Sequence, residues 1–473
     1  MPSQGALPDD EPRSTAVPVA TPEGRLSAYV VNARETDRGL REVRRAIRSA
    51  DGEVMQGWPQ IGVFVVHSTS ATFRRDVRRA AGRRIESVGA TRAAAVKETT
   101  PGGASVRTLT GGAQSLWIDD PGRAMVEDPR EDQQWDMQVI KADQAHQIAS
   151  GSRAVVVGVL DSGIDPDHPD LAPNLARSAS VDCSRAGVPN TSRGSWHPST
   201  SDHGTHVAGT IAAARNGIGI VGVAPNVRIA SVEVVNDDGL IYPEYAVCGF
   251  MWAGLEGMAV TNNSYYVDPF AFYCADQPDQ AAALEAVGRA VAWATEHGVV
   301  HAAAAANAAT VLATNTTDTA SPNDGTPVVR TLNSGCLDIP AELPGVVTVS
   351  AYARQGETTL DTWLAAFSNR GLGVVDVAAP GASILSTVVE DNGYALKSGT
   401  SMATPHVAGV LALLASTHPG WSPVQLGAAL AEQADDRPCA PPESDRGAPC
   451  TGTDDDDGYA GEGMVDALEA VQP

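Results

Sequence analysis

Two patterns of apolar and polar positions divide the chain. From Arg25 to Val96, short apolar runs alternate with amphipathic, arginine-rich stretches, which predicts a small α+β module. The apolar runs indicate strands over Leu26–Val31 and Ile61–His67. The stretches with a helical period indicate helices over Arg38–Ser49 and Thr72–Ala81.

After Trp135 the pattern changes to longer, continuous apolar runs separated by helical stretches. The runs of strand length are Ala154–Leu160, Arg228–Val234, Val299–Ala305 and Val346–Val349. Continuous apolar strands are typical of a parallel sheet that helices cover on both faces. In such a sheet the active site lies beyond the carboxyl ends of the strands, so a polar residue that ends an apolar run is a candidate site residue.

These patterns predict four segments. Residues 1–24 are polar and proline-rich, which predicts a disordered leader. Residues 25–97 form the small α+β module, and residues 98–134 form a linker with Pro, Gly, Thr and acidic residues. Residues 135–473 form an α/β domain in which helices flank a parallel sheet.

The charge is unevenly distributed between these segments. The formal net charge of −24 argues against nucleic acid as a partner, because phosphate binding requires clustered Lys and Arg. Between Glu23 and Glu98, however, 15 basic and 9 acidic residues give a net charge of +6, which leaves 18 basic and 48 acidic residues, a net of −30, elsewhere. Opposite charges favour docking of the two parts on each other, although a solvated basic helix face would give the same composition.

The six cysteines form no CxxC pair and no Cys/His spacing typical of zinc sites. Three disulfides would fit an oxidising compartment and predict a secreted protein, with buried thiols in a cytosolic enzyme as the alternative. Cys439 and Cys450 are the one pair that their closeness in sequence favours.

No segment of the sequence predicts a membrane partner. No secretory signal is visible over Met1–Gly24, which has no apolar core. The two most apolar stretches, Val299–Ala306 and Val407–Ala415, are too short to cross a bilayer. A monomer is the default expectation for the oligomeric state.

Three polar residues stand where this fold would place an active site. Asp161 ends the apolar run before it, and His203 and Ser401 each begin a predicted helix. A serine hydroxyl needs an adjacent base to become a nucleophile, and an imidazole base needs a carboxylate to fix its tautomer. Each of these residues alone is more often a helix cap or a turn residue. The sequence motifs around the three residues therefore decide whether they are interpreted as a catalytic triad.

Those strings resemble the signature motifs of the subtilisin-like family, the subtilases. They are Val-Leu-Asp-Ser-Gly around Asp161, His-Gly-Thr-His-Val-Ala-Gly from His203, and Gly-Thr-Ser-Met-Ala-Thr-Pro-His around Ser401. The resemblance implies that Asp161 orients the imidazole, His203 is the general base and Ser401 is the nucleophile. It also implies that Asn307, at the end of an alanine-rich strand, stabilises the oxyanion. Further matching strings extend the resemblance from Trp135 to near the C-terminus.

The resemblance implies a serine endopeptidase that hydrolyses peptide bonds in proteins through an acyl-enzyme, with no cofactor required for the chemistry. It also implies that the module over 25–97 is an inhibitory propeptide that the enzyme removes by cutting itself within 98–134. An N-terminal accessory domain is the alternative for this module. A catalytically silent peptide-binding scaffold is the alternative for the whole chain, and a metallohydrolase is disfavoured because no HExxH motif is present.

Two stretches depart from the family pattern near the expected substrate site. The strand edge that usually reads Ser-Leu-Gly is Ser264-Tyr265-Tyr266 here, so Tyr266 is expected to reshape the pocket and change specificity. Ala306 stands where the family commonly has Gly before the oxyanion Asn. The predicted substrate-binding residues are Ser264, Tyr265, Tyr266, Ala305 and Ala306.

The resemblance also implies a structural calcium site. Asp170 and Asn216 fall at the spacings where many subtilisins bind Ca²⁺ through oxygen ligands. The carbonyl groups of Ile218 and Ile220 would complete the ligand set. The acidic run Asp454–Asp457 is a weaker candidate, since such a run is usually a solvated loop.

Overall fold

The structure is a computed structural model that describes residues 11–34, 37–97, 127–199, 201–439 and 450–472. The helices in the described residues are α1 (Asp37–Ser49), α2 (Phe73–Ala81), α3 (Trp135–Val139), α4 (Ala142–Ala145), α5 (His203–Ala212), α6 (Pro243–Leu255), α7 (Pro278–Glu296), α8 (Thr400–Thr417) and α9 (Pro423–Glu432). The first strands are β1 (Ser27–Ala33), β2 (Gly52–Trp58), β3 (Val63–Ser68), β4 (Ile85–Ala90), β5 (Val156–Asp161), β6 (Val181–Asp182), β7 (Arg228–Glu233), β8 (Val260–Asn263) and β9 (Tyr273–Cys274). The remaining strands are β10 (Val300–Ala304), β11 (Thr317–Asp318), β12 (Arg330–Thr331), β13 (Cys336–Leu337), β14 (Val346–Arg354), β15 (Thr362–Leu364), β16 (Val377–Pro380), β17 (Ile384–Thr387) and β18 (Tyr394–Lys397).

The larger part of the molecule is built on a central sheet with the strand order β15-β14-β10-β8-β5-β7-β6, and β16 also pairs with β14. These strands pair in parallel except for β15, which pairs antiparallel with β14. The predicted parallel sheet is therefore confirmed. Because β5, β8 and β10 run in the same direction, Asp161 and the residues that follow Asn263 and Ala304 meet at one edge of the sheet.

Helices cover both faces of this sheet, as the continuous apolar strands predict. Val157 and Val159 of β5 belong to one buried cluster, which includes residues of α5 and α8. Val156 and Leu160, which point to the other face, belong to a second cluster with residues of α6 and α7. The alternation along β5 shows why a strand with no polar face is needed here.

The N-terminal module is an antiparallel sheet with the order β2-β3-β1-β4 and a βαββαβ layout. Its predicted strands and helices lie close to the observed β1, β3, α1 and α2. Strand β4 packs directly on α7, where a Cβ on Gly89 would lie 2.6 Å from the carbonyl oxygen of Asp279. No side chain larger than hydrogen fits at this contact, so glycine allows the close approach.

The predicted disordered leader is wrong for residues 11–24, which make specific contacts with both parts of the molecule. A polar, proline-rich composition indicates only that a segment has little apolar surface to bury. It does not show whether polar groups elsewhere in the fold bind the segment, as they do here. Residues 1–10 lie outside the described residues, as do residues 98–126 of the predicted linker. The last linker residues belong to the larger domain, since Glu131 pairs with Arg215 and Gln134 bonds the backbone of Val221.

All six cysteines are paired in disulfides, as expected for an oxidising compartment. The predicted pair Cys439–Cys450 is confirmed. The other pairs are Cys183–Cys248 and Cys274–Cys336. None of the helices within the described residues combines the length and the apolar character needed to cross a membrane.

Candidate active site

The base and the carboxylate of the predicted triad meet at the carboxyl edge of the sheet. Asp161 is the last residue of β5, and His203 is the first residue of α5. The Nδ1 atom of His203 lies 2.8 Å from Oδ1 and 2.9 Å from Oδ2 of Asp161. The acceptor carboxylate fixes the proton on Nδ1, so Nε2 of the neutral imidazole is left with its lone pair.

The surroundings of His203 affect its basicity in opposite directions. Burial lowers the pKa of His203, but the Asp161 carboxylate more than compensates, so that the pKa lies above its ordinary value. An ion pair between Lys397 and Asp202 lies next to the imidazole, and these two charges also act on the pKa, in opposite senses. The sequence contained no signal for this pair beyond the position of Asp202 directly before His203.

Ser401 lies in the first turn of α8, where the helix dipole favours negative charge. Its hydroxyl donates a hydrogen bond of 3.1 Å to the carbonyl oxygen of Ser264, and the Ser264 hydroxyl donates one of 2.9 Å to the carbonyl oxygen of Ser401. This reciprocal pair fixes the start of α8 against the end of β8. Among the hydrogen bonds of the described residues, none joins Ser401 to His203 directly.

Asn307 is oriented by the residue before Ser401. Its Oδ1 atom accepts hydrogen bonds from the Thr400 backbone N–H at 2.8 Å and from the Thr400 hydroxyl at 3.0 Å. Because both donors occupy the oxygen, Nδ2 remains available to donate to a ligand. The position that a Cβ on Gly399 would occupy lies 3.6 Å from Asn307 Nδ2 and 3.6 Å from the Ser401 backbone N. The two donors are therefore close enough to each other to bind one oxygen atom together.

Ala306 adopts a left-handed conformation, with φ of 72°. This is the position at which the family commonly has Gly, which reaches positive φ without a steric penalty. The exposed Asn307 therefore follows a backbone turn that the sheet and Asn369 hold in place, because Asn369 donates its N–H to the Ala306 carbonyl at 3.0 Å.

A cleft of about 460 Å³ opens beside Asp161 and His203, and Ser264 and Tyr265 line its other wall. The half-buried Tyr265 donates its hydroxyl to Oδ1 of Asn263 at 3.3 Å. The hydroxyl of Tyr266 instead accepts a hydrogen bond of 3.1 Å from Asn323. Two consecutive tyrosines are thus fixed in different directions at the strand edge.

The side chain of Ala305, one of the predicted substrate-binding residues, faces the interior of the domain. It has no exposed surface and packs in a small cluster with Phe272, Leu312 and the disulfide cysteines Cys274 and Cys336. Its backbone N–H bonds the carbonyl oxygen of Val349, so it continues the buried strand. A contact between Ala305 and a substrate would therefore use the backbone, and its role in substrate binding stays a prediction.

The two side chains among the predicted calcium ligands, Asp170 and Asn216, make hydrogen bonds with protein groups. Asp170 Oδ2 accepts hydrogen bonds from the Tyr394 hydroxyl at 2.8 Å and the Ile220 N–H at 3.2 Å, while the Asn216 side-chain amide donates to Oδ1 at 3.3 Å. The Asn216 oxygen accepts from the Ile218 N–H at 3.1 Å. A bound calcium ion would have to replace these donors at the Asp170 and Asn216 side chains, so the calcium site with the carbonyl groups of Ile218 and Ile220 stays a prediction.

At the weaker candidate, Asp454–Asp457, protein donors occupy some of the carboxylate oxygens, while Asp457 Oδ2 is buried without a hydrogen-bond partner among the described residues. Asp457 Oδ1 accepts the N–H groups of Tyr459 and Ala460 at 2.6 and 2.7 Å. Asp454 accepts the N–H of Cys439 at 3.1 Å. These contacts indicate a hydrogen-bonded turn.

Comparison with known proteins agrees with this geometry. Residues 152–457 match the Subtilase family. The chain belongs to the subtilase family. This subtilase is 36% identical over 295 residues to an alkaline protease of Alkalihalobacillus alcalophilus, covering 62% of each chain. It is also 36% identical over 287 residues to subtilisin E of Bacillus subtilis, covering 61% of this chain and 62% of the relative. The subtilase therefore spans about three-fifths of the length of these relatives.

Solved structures are similar over nearly the whole subtilase. Fervidolysin from Fervidobacterium pennivorans, described as a keratinolytic enzyme related to subtilisin, has a TM-score of 0.66 at 26% identity. The match covers 99% of this chain and 62% of fervidolysin. The epidermin leader peptide processing protease of Staphylococcus aureus has a TM-score of 0.67 at 19% identity and covers 94% of this chain, which supports the fold alone.

Proposed function

We propose that this subtilase is a serine endopeptidase that cleaves peptide bonds in proteins through an acyl-enzyme. The observation that carries the proposal is the hydrogen bond from His203 Nδ1 to the buried Asp161 carboxylate, at the strand edge that also holds Ser401 and Asn307. In this proposal Asp161 orients the base, His203 transfers protons, Ser401 is the nucleophile and Asn307 stabilises the oxyanion.

The reaction would begin when the Ser401 hydroxyl exchanges its bond to the Ser264 carbonyl for one to Nε2 of His203. Oγ then attacks the scissile carbonyl carbon while its proton passes to Nε2. Asn307 Nδ2 and the Ser401 N–H donate to the oxyanion. Collapse breaks the C–N bond, and His203 gives the proton to the leaving amine. Water repeats the sequence on the ester, which frees the acid and restores Ser401.

The substrate would bind as an extended strand beside the residues that follow β8. Ser264 and Tyr265 line the cleft, and Tyr266, which follows them where the family has glycine, would reshape the pocket for the substrate. We therefore propose a specificity narrower than that of a general digestive protease. Cleavage of a peptide library tests this, and a flat profile would contradict it.

We further propose that residues 25–97 are an inhibitory propeptide and a binding partner of the catalytic domain. The end of this module reaches the cleft, since Lys97 Nζ lies 3.0 Å from Oδ2 of Asp238, a residue of the cleft wall. The backbone N–H groups of Ala93 and Ala94 donate to Asp324 at 2.7 and 2.8 Å. Both contacts hold the module's last residues beside the catalytic domain. The three disulfides support the proposal that the mature protein works outside the cell.

The test is time-resolved intact mass analysis of the purified chain and its Ser401→Ala variant at neutral pH. The parent is expected to cut itself within residues 98–134, whereas the variant stays whole. A fluorophosphonate probe should label the parent and not the variant. If both chains stay whole, the linker is cut with an added protease, and a catalytic domain that is still unlabelled after release of the module would favour a peptide-binding scaffold over a protease.

A further inference from the structure

The segment Glu11–Val19, here called the N-terminal strap, crosses the catalytic domain outside the active-site cleft. The Ser14 backbone N–H donates to Asp276 Oδ2 at 2.9 Å, and its hydroxyl donates to Oδ1 at 2.5 Å. Gln277 Nε2 in turn donates to the carbonyl oxygen and to the hydroxyl of Ser14, at 3.1 and 2.8 Å. One serine of the strap thus has its side chain and both backbone groups bonded to the catalytic domain.

The next strap residue pairs with a strand edge. The Thr15 N–H donates to the Thr331 carbonyl oxygen at 2.9 Å, and the Thr331 N–H donates to the Thr15 hydroxyl at 2.8 Å. Nearby, the Glu11 carboxylate accepts the backbone N–H and the hydroxyl of Ser334 at 2.8 and 2.5 Å. One of these bonds joins two backbones, and the others use side chains of the strap, so the strap is recognised both through its backbone and through Thr15 and Glu11.

The surface that receives the strap is covalently fixed. The Cys274–Cys336 disulfide joins β9 to β13, and Asp276 and Asn333 flank this pair. Asn333 Nδ2 donates to Asp276 Oδ2 at 3.1 Å, which orients the carboxylate toward Ser14. None of the strap-binding residues is among those that line the cleft beside His203.

The other end of the strap joins the docked module. Val19 is buried, with 3% of its surface exposed, and lies in the same apolar cluster as residues of β1 and α7. Its N–H lies 3.4 Å from Asp279 Oδ2, and Arg74 of the module pairs with the same carboxylate. The strap therefore links the module's own contact surface to a second surface on the catalytic domain.

We propose that Asp276, Gln277, Thr331, Asn333 and Ser334 form a second peptide-binding site whose occupant is the strap, so that the propeptide is anchored at two places. The inference rests on the propeptide role proposed above. Two linked anchors raise the effective concentration of each, so the module stays bound after the linker is cut until the strap also detaches. Removing the strap removes several hydrogen bonds at once, so release should be faster by about tenfold or more.

The experiment uses the Ser401→Ala chain with a recognition site for a sequence-specific viral protease inserted within residues 98–126. Cutting the linker from outside separates the question of anchoring from that of catalysis. The rate at which the cut module leaves is measured by size-exclusion chromatography and native mass spectrometry. A chain that lacks residues 1–19 is compared with a matched chain that lacks residues 1–10 and keeps the strap.

The expected result is faster release without residues 1–19 and unchanged release without residues 1–10. Asp276→Ala should also speed release, whereas Glu357→Ala, which removes an exposed carboxylate elsewhere, should not. Thermal unfolding before cutting checks that each variant is folded, and Asp276→Ala gives the answer if the shortened chain is not. Equal release rates for all folded variants overturn the second site, whatever the Ser401→Ala comparison says about catalysis.

Discussion

The active-site edge and the face that docks the N-terminal module are built in different ways. At the candidate active site, the proposed nucleophile Ser401 and the proposed oxyanion donor Asn307 are held by neutral groups, the Ser264 carbonyl and Thr400. The docking face instead relies on charged side chains, such as Arg92 with Glu244. Chemistry requires local geometry, which a short motif can encode, whereas docking requires complementarity, which no short motif records.

The docking face contains one ion pair that is almost fully buried. The side chains of Arg92 and Glu244 are 2% and 0% exposed, and the guanidinium lies 4.0 Å from the ring centroid of Tyr242. From the opposite side, Arg289 of α7 donates to the carbonyl oxygens of Ala33 and Ile61 at 3.0 Å each. The charge complement expected from composition is therefore concentrated in a few desolvated contacts.

The largest predicted effect is that of Arg92→Met. Removing one partner leaves Glu244 buried without its counter-charge, which costs about 3–5 kcal/mol. Thermal unfolding of the Ser401→Ala chain should show the loss. Lys97→Met is the matched control, because the Lys97 and Asp238 side chains are 70% and 55% exposed and such pairs contribute little. Similar losses in both variants would mean that burial does not distinguish these pairs.

Asn307→Ala tests the active-site side of the comparison. Loss of one donor to the oxyanion typically lowers kcat roughly 10²–10³-fold, with little change in KM. Steady-state kinetics on a peptide substrate measures both constants. Asn315→Ala removes a nearby asparagine that caps a turn through Thr317 and should leave kcat unchanged. A loss confined to KM would assign Asn307 to substrate binding.

Gly89→Val tests how closely β4 approaches α7. The added carbon atoms would meet the Asp279 backbone and Ala282, and overpacking of this kind typically costs about 1–3 kcal/mol. Gly427→Ala in α9, where a Cβ meets nothing within 4 Å, should instead stabilise the helix by about 1 kcal/mol. Calorimetry of both variants decides, and equal stability of Gly89→Val and the parent would contradict the close packing.

The smallest effect concerns the charges beside His203. The base must be neutral, and its pKa is raised, so kcat/KM should fall as the pH drops through a value above 6.5. Lys397→Met removes a cation and should move this acidic limb to higher pH, whereas Asp202→Asn should move it lower. Each shift should stay below about one pH unit because both side chains are partly exposed. Shifts of the acidic limb in the opposite directions would contradict the conclusion that these two charges act on the pKa of His203. The double variant should restore the pH profile of the parent.

The sequence predicted much of the candidate site, because Asp161, His203 and Ser401 each lie in a short motif. Such a motif specifies both the strand end or helix start and the side chain placed there. It did not predict that Tyr394, more than two hundred residues away in sequence, donates a hydrogen bond to Asp170. It also did not predict that the Ala305 side chain is buried, because a run of alanines does not show which residues of a strand face inward. The strap was missed because its partners lie on distant loops.

By itself, the sequence determined the parallel sheet and singled out the candidate site residues Asp161, His203 and Ser401. Continuous apolar runs, helix starts and the residues that end strands are properties of neighbouring positions. The tertiary structure decided the docking of the N-terminal module, the pairing of Cys183 with Cys248 and Cys274 with Cys336, and the binding of the strap. These depend on which distant groups the fold brings within hydrogen-bond distance, and that distance is set by packing rather than by spacing along the chain.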